Sequence, residues 1–154
     1  MKTIAELKRT NPPTISKDAT LADAVRLFGE SHEEFAFIVE GKKAAGIITD
    51  GDVLRAFYVR VAAYLEDLQK YEKHPHAGSE FDEEVRERAE NFKKMRVSDV
   101  MTHRPRHVDE EWSLAEAVEL FRKNNLKRAP VVNSKGEMTG FIKRADVAAA
   151  AMEA

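Results

Sequence analysis

The sequence predicts a mixed α/β (α+β) fold: two β-α-β-β-α units packed about a pseudo-twofold axis, with a helical hairpin between them. Three observations carry this. The chain repeats itself at a spacing of 93 to 94 residues. Each copy alternates helical and strand periodicity, and a segment of different pattern separates the copies. "IAEL" (4–7) falls on "VSDV" (97–100), "ATLADAVRLF" (19–28) on "WSLAEAVELF" (112–121), and "AFIV" (36–39) on "APVV" (129–132). One extra residue enters the second hairpin, after which "GIITDGDV" (46–53) falls on "GFIKRADV" (140–147).

In each copy a Pro-containing turn leads to a short β segment, Thr14-Ile15 or His107-Val108. A helix then opens on Thr20 with Asp23 three residues later, or on Ser113 with Glu116. Both pairs are capping boxes: the hydroxyl accepts from an orphan backbone N–H and the carboxylate reaches back to the cap N–H. Leu21, Ala24, Val25 and Phe28, and then Leu114, Ala117, Val118 and Phe121, recur at helical spacing and predict one apolar face per helix. Two β-rich runs follow in each copy, "FAFIVE" and "AAGIIT", then "APVV" and "MTGFIK", joined by the turns "GKK" and "NSKGE". A second helix starts at Asp52 or Asp146. One such unit is too small to bury both faces of its sheet, and pairing two solves that. The boundaries are a first motif at 1–56, an insertion at 57–95 and a second motif at 96–154.

In the insertion, Leu54, Phe57, Tyr58, Val61, Tyr64, Leu65, Leu68 and Tyr71 form a stripe predicting a helix from Asp52 to about Lys73. "HPHAGS" (74–79) breaks it. Phe81, Val85, Ala89, Phe92 and Met95 mark a second amphipathic helix, antiparallel to the first. The stripe is wider than one short partner covers; it either packs on its own domain or forms a dimer or partner surface.

Composition narrows the function classes. The 154 residues are 43% hydrophobic and 34% charged, with a formal net charge of −2 that gives no pull toward nucleic acid or anionic membrane. There is no cysteine, so disulfides and thiolate chemistry are excluded. No apolar run approaches the roughly 18–20 residues of a membrane span, and "MKTIAELKRTNPP" lacks a signal peptide's apolar core, so a cytoplasmic protein is expected. His74-Pro75-His76, with Asp82 and Glu83 nearby, is a weak metal motif without a fixed third ligand, and an exposed turn is the better reading. No Gly-rich phosphate loop, nucleophile–base pair or paired carboxylates with a plausible cleft occur, so no catalytic residue, metal or required cofactor is assigned.

The ordered set "NPPTISKDATLADAVRLF", "FAFIV", "GIITDGDVL" and "RPRHVDEEWSLAEAVELF", "RAPVV", "GFIKRADV" resembles a tandem pair of cystathionine-β-synthase (CBS) domains over about 110 of 154 residues. The insertion departs from that family's usual short linker. The resemblance implies a stand-alone regulatory module whose two pseudo-equivalent clefts bind an adenosine-containing ligand: AMP, ADP, ATP or S-adenosylmethionine. It also implies a homodimer or an unidentified protein partner. The alternative is a homodimeric scaffold with the same fold and no nucleotide.

The resemblance places ribose recognition at the junction between last strand and second helix. There Thr49 would meet ribose or phosphate and Asp52 the ribose hydroxyls, two donors for an ionised carboxylate. Thr49 and Asp52 also stand at capping-box spacing, and the two roles are compatible. In the second copy Lys143 replaces the hydroxyl while Asp146 stays. Arg104, Arg106, Arg122, Lys123, Lys127, Arg128, Lys143 and Arg144 are basic, whereas their first-copy equivalents are not. Any phosphate is therefore expected toward the second copy, with Lys127, Arg128 and Lys143 foremost; a solvated basic face is the alternative. By family position Ile15 and Ile47, and Val108 and Phe141, would flank the base, with Thr14 and His107 at its edge; each is equally a core or structural candidate.

Overall fold

Thr20 and Ser113 begin their helices as the spacing predicts. Each hydroxyl accepts from the backbone N–H three residues on, at 3.1 and 3.2 Å, and Asp23 and Glu116 close the reciprocal bonds at 3.0 and 2.7 Å. The computed structural model describes residues 2–66 and 78–154. In order it contains α1 (Ile4–Leu7), α2 (Leu21–Ser31), β1 (Phe35–Glu40), β2 (Lys43–Thr49), α3 (Asp50–Phe57), α4 (Gly78–Lys93), β3 (Thr102–His103), β4 (Val108–Asp109), α5 (Leu114–Asn124), β5 (Arg128–Val132), β6 (Met138–Lys143) and α6 (Arg144–Met152). A 3₁₀ turn, Val97–Asp99, precedes β3. The strands make two three-stranded sheets, β1-β2-β3 and β4-β5-β6. β4 pairs parallel to β5, Val108 facing Val131, and β5 antiparallel to β6. In the first copy the expected segment at Thr14-Ile15 is a single parallel bridge, Thr14 to Phe37.

Backbone conformation repeats where side chains do not. Among the described residues the four non-glycine residues with positive φ are two equivalent pairs, Asn11 and Arg104 (55° and 51°) and His32 and Asn125 (56° and 50°). The latter two close α2 and α5 in the left-handed region. Gly41 and Gly136 turn the two hairpins at φ 63° and 75°, which glycine adopts without a Cβ penalty.

The chain divides into two compact units. Met1–Thr14, Phe37–Ile47 and Thr102–Ala154 form the terminal unit; Ile15–Ala36 and Ile48–Met101 form the central one. In the terminal unit Val108, Leu114, Ala117, Phe121, Ala129, Val131, Ile142, Val147 and Ala150 make the core, and Ile4 from the N-terminal helix completes it. Arg9 pairs with Phe141 in both directions, N–H to O at 2.7 Å and O from N–H at 3.0 Å, adding one residue to the edge of β6. Gly140 makes that approach possible, since a Cβ there would collide with the Arg9 carbonyl oxygen. Lys8 donates to Glu110 at 2.6 Å; that bond foremost, with one from the Thr139 hydroxyl, holds the Glu110 carboxyl below its ordinary range.

In the central unit the equivalent lead-in, Val97, is also fully buried. Its N–H donates to Ala19 at 2.8 Å, and Ser98 N–H donates to Lys17 at 3.0 Å. Thus Ile4, at the start of the first copy, packs with second-copy elements, and Val97, leading the second copy, packs with first-copy elements. The β3 pairing repeats the exchange, since Thr102 faces Ile47 as its counterpart Arg9 faces Phe141.

Two expectations change. Val25 and Val118, read as core-facing, are 52% and 37% exposed, because the narrower set Leu21/Ala24 and Leu114/Ala117/Phe121 fills the inward faces. The helix from Asp52 is not uniformly α: residues Tyr58–Ala62 form a π segment before α-helix resumes at 63–66. A π segment advances the chain by an extra residue and reorients the turns on its C-terminal side. Leu54, before the segment, and Tyr58, at its start, are 67% and 51% exposed, while Val61 within it is buried. This helix packs on α4, with Phe57 and Phe92 edge to face at 5.3 Å and the Arg88 guanidinium 3.8 Å from the Tyr64 ring centroid. Of the predicted breaker at 74–79, residues 74–77, His74 and His76 among them, lie outside the described residues, whereas 78 and 79 already belong to α4.

Candidate functional site

Each copy ends a strand and starts a helix at a carboxylate. At the first junction β2 stops at Thr49, whose extended backbone (φ −123°, ψ 163°) makes it the N-cap of α3. Thr49 Oγ1 accepts from the Asp52 N–H at 3.2 Å, and Asp52 Oδ2 accepts from the Thr49 N–H at 3.0 Å. The box predicted from Thr-x-x-Asp is therefore formed. Asp52 Oδ1 takes one further bond, from Arg55 Nη2 one turn along. Asp52 is 8% exposed and is the one buried charged residue among the described residues.

At the second junction Lys143 is the N-cap of α6 and offers no acceptor, so only half the box survives: Lys143 N–H donates to Asp146 Oδ2 at 3.0 Å. Arg9 then engages both carboxylate oxygens, Nε to Oδ2 at 2.9 Å and Nη2 to Oδ1 at 2.7 Å. Burial of Asp146 opposes its ionisation most strongly. The bonds from Arg9 and the Lys143 N–H, with the charges of both residues, outweigh it and hold the carboxyl below its ordinary value.

Backbone bonds repeat around these carboxylates: Asp50 N–H donates to the Glu34 carbonyl and Arg144 N–H to the equivalent Lys127 carbonyl, both at 2.9 Å. In the second copy this brings Lys127 to the first turn of α6. Cross-strand register sets Arg128 opposite Lys143. Of the residues proposed from the sequence, Lys127, Arg128, Lys143 and Asp146 thus gather at one place. Thr49 and Asp52 form the other junction, where the residues equivalent to those cations are Glu34, Phe35 and Thr49.

The apolar candidates are divided. Val108 is wholly buried in the core cluster, and Phe141 is 4% exposed with its ring edge-on to Phe37 at 6.3 Å. Ile15 and Ile47 are half-buried, and His107 is exposed. Thr14, also exposed, lines a cleft of about 530 Å³ with Val39, Lys42, Glu137 and Thr139; Asp146 does not border it. No cluster of three His, Asp or Glu residues suited to a metal occurs among the described residues. None of their helices is long and apolar enough to cross a membrane. Arg9 is the participant that motif reading missed. Its only signal is the replacement of Thr102 by a cation at the equivalent position of the first copy.

Residues 4–59 and 97–153 each match the CBS domain family. The chain is a tandem CBS-domain protein. It is 29% identical over 144 residues to the uncharacterized protein MJ1426 of Methanocaldococcus jannaschii, covering 88% of this chain and 83% of that one. It is 26% identical to the chloroplastic CBS domain-containing protein CBSX1 of Arabidopsis thaliana, over 95% of this chain but 61% of the relative. CBSX2, solved in complex with AMP, superposes with a TM-score of 0.70 at 19% identity, covering 99% of this chain and 98% of the other. The CBS pair of MJ0100, solved with 5'-methylthioadenosine and S-adenosyl-L-methionine, gives 0.69 at 16% identity, again over 99% and 98%. These likenesses establish a CBS pair, a fold used in regulatory modules.

Proposed function

We propose that this CBS pair is a regulatory sensor of an adenosine-containing ligand, AMP, ADP, ATP or S-adenosylmethionine, read at its two strand–helix junctions. Binding would alter association of the chain with itself or with a partner protein. One observation carries the reading. Asp52 and Asp146 are each oriented by the same bond, Oδ2 to the N–H three residues back at 3.0 Å, although one N-cap is Thr and the other Lys. A carboxylate fixed in this way can accept both hydroxyls of a ribose cis-diol. The cations Lys127, Arg128 and Lys143 supply charge for a phosphate beside the second of them. The AMP of CBSX2 and the adenosyl ligands of MJ0100 support the ligand class.

A thermal-shift screen with AMP, ADP, ATP, S-adenosylmethionine and adenosine tests this on wild type, Asp52→Asn and Asp146→Asn. A ligand at 100 times its Kd stabilises the native state by about 2.7 kcal/mol. The expected result is a shift in wild type that each substitution reduces. A shift untouched by both substitutions would remove the site assignment. The second reading, a homodimeric scaffold without a nucleotide, is favoured by the exposed Leu54, Tyr58 and Val59 of the central unit. Absence of any shift, with a dimeric mass by light scattering, would select it.

A further inference from the structure

We infer that Arg9 is the specificity-determining residue of the second junction. Its guanidinium holds the two oxygens of Asp146 that a ribose diol needs. This junction therefore admits adenosine compounds that bear a phosphate and refuses adenosine itself. The inference rests on reading Asp146 as a ribose acceptor.

The competition is for acceptor sites: Arg9 and the Lys143 N–H already take three of the roughly four lone-pair sites of the carboxylate, leaving too few for both hydroxyls of a diol. A cis-diol would place one O–H on each carboxylate oxygen of Asp146, and Arg9 already donates to both, at 2.9 and 2.7 Å. Two neutral hydroxyls do not displace a charge-assisted fork, whose bonds are about twice as strong. A phosphate changes the balance because it offers the guanidinium an equally good bidentate partner. The diol can then take the vacated carboxylate, and Lys127, Arg128 and Lys143 favour the incoming anion.

The backbone of Arg9 stays in place during such an exchange. It is held by two hydrogen bonds to Phe141 and lies against the bare Cα of Gly140. Only the side chain, 49% exposed, needs to swing, whereas the Asp146 side chain is 17% exposed. The first junction is built differently. Arg55 touches Asp52 through one nitrogen, from the same helix, with its side chain 73% exposed. The neighbouring positions there carry no cation in place of Lys127, Arg128 and Lys143. Adenosine is therefore accepted at the first junction and rejected at the second.

Calorimetric titration of the full chain with adenosine and with AMP tests this, using Asp52→Asn to isolate the second junction. In that background AMP should bind at least about tenfold more tightly than adenosine. Adding Arg9→Met should bring the two within about threefold, by strengthening adenosine and weakening AMP. Arg9→Lys, a point charge that cannot fork, should fall between them; it also serves if the methionine variant melts early. An adenosine-to-AMP ratio unchanged by both Arg9 variants overturns the inference while leaving the sensor reading intact. If the Asp52→Asn chain fails to bind AMP while adding Arg9→Met confers adenosine binding, Arg9 excludes both compounds and the inference is overturned. If no variant binds either compound, the inference falls, and the sensor reading falls with it only when ADP, ATP and S-adenosylmethionine also give no thermal shift.

Discussion

At Asp52 the restraint is local: a threonine cap three residues back and an arginine three residues ahead, each within one helical turn of it. At Asp146 the helix supplies a single backbone N–H, and the guanidinium comes from 137 residues away in sequence. The same carboxylate geometry is thus reached once by short-range capping and once by long-range pairing. The repeat keeps backbone geometry constant, down to the paired positive-φ residues, and varies the charges placed around it. Backbone geometry and the charges around it therefore vary separately between the copies.

The strongest way to break the comparison is to remove a lead-in anchor. Ile4→Ala should cost the terminal unit about 2–5 kcal/mol, because Ile4 is fully buried in its core. Val97→Ala, the equivalent change in the central unit, should cost about 1.5–3 kcal/mol; urea melts of both variants check the pair. Gly140→Ala comes next. Its Cβ would meet the Arg9 carbonyl, and relieving that contact should cost about 1–3 kcal/mol while loosening the fork on Asp146.

Thr49→Ala should cost about 1 kcal/mol through loss of the cap hydroxyl. Lys143→Thr should gain a few tenths to about 1 kcal/mol by completing the missing half of the second box. A loss in the latter would show that the Lys143 side chain stabilises the fold in another way. The smallest effect is expected from Arg9→Met, within about 1 kcal/mol for a half-exposed pair, and its size depends on pH. The Asp146 carboxyl is held below its unfolded value, so its contribution is complete above the ordinary carboxylate range and disappears as pH falls through the lowered value. The stability gap between wild type and variant should therefore be widest near neutral pH and close in acid, which melts at several pH values would record.

The helices, hairpins and capping boxes were legible because each depends on residues three or four positions apart. Thr49 and Asp52 were legible for the same reason, as was the gathering of Lys127, Arg128 and Lys143, which depends on one strand register. Arg9 was not, since its partner is set by the exchange of lead-in segments, and no local pattern encodes that exchange. The outward turn of Leu54 and Tyr58 also escaped the periodicity. The π segment changes the helical period from Tyr58 onward, which a fixed three-to-four spacing does not encode; Leu54 lies before it.

The exchange of lead-ins has a consequence for how this gene product can be divided. A break anywhere in the linking helices would separate Ile4 from the core it completes and Val97 from the elements that bury it. The two resulting polypeptides would each carry a piece the other lacks, so they should fold as complementing fragments, mixed together, and not as independent halves.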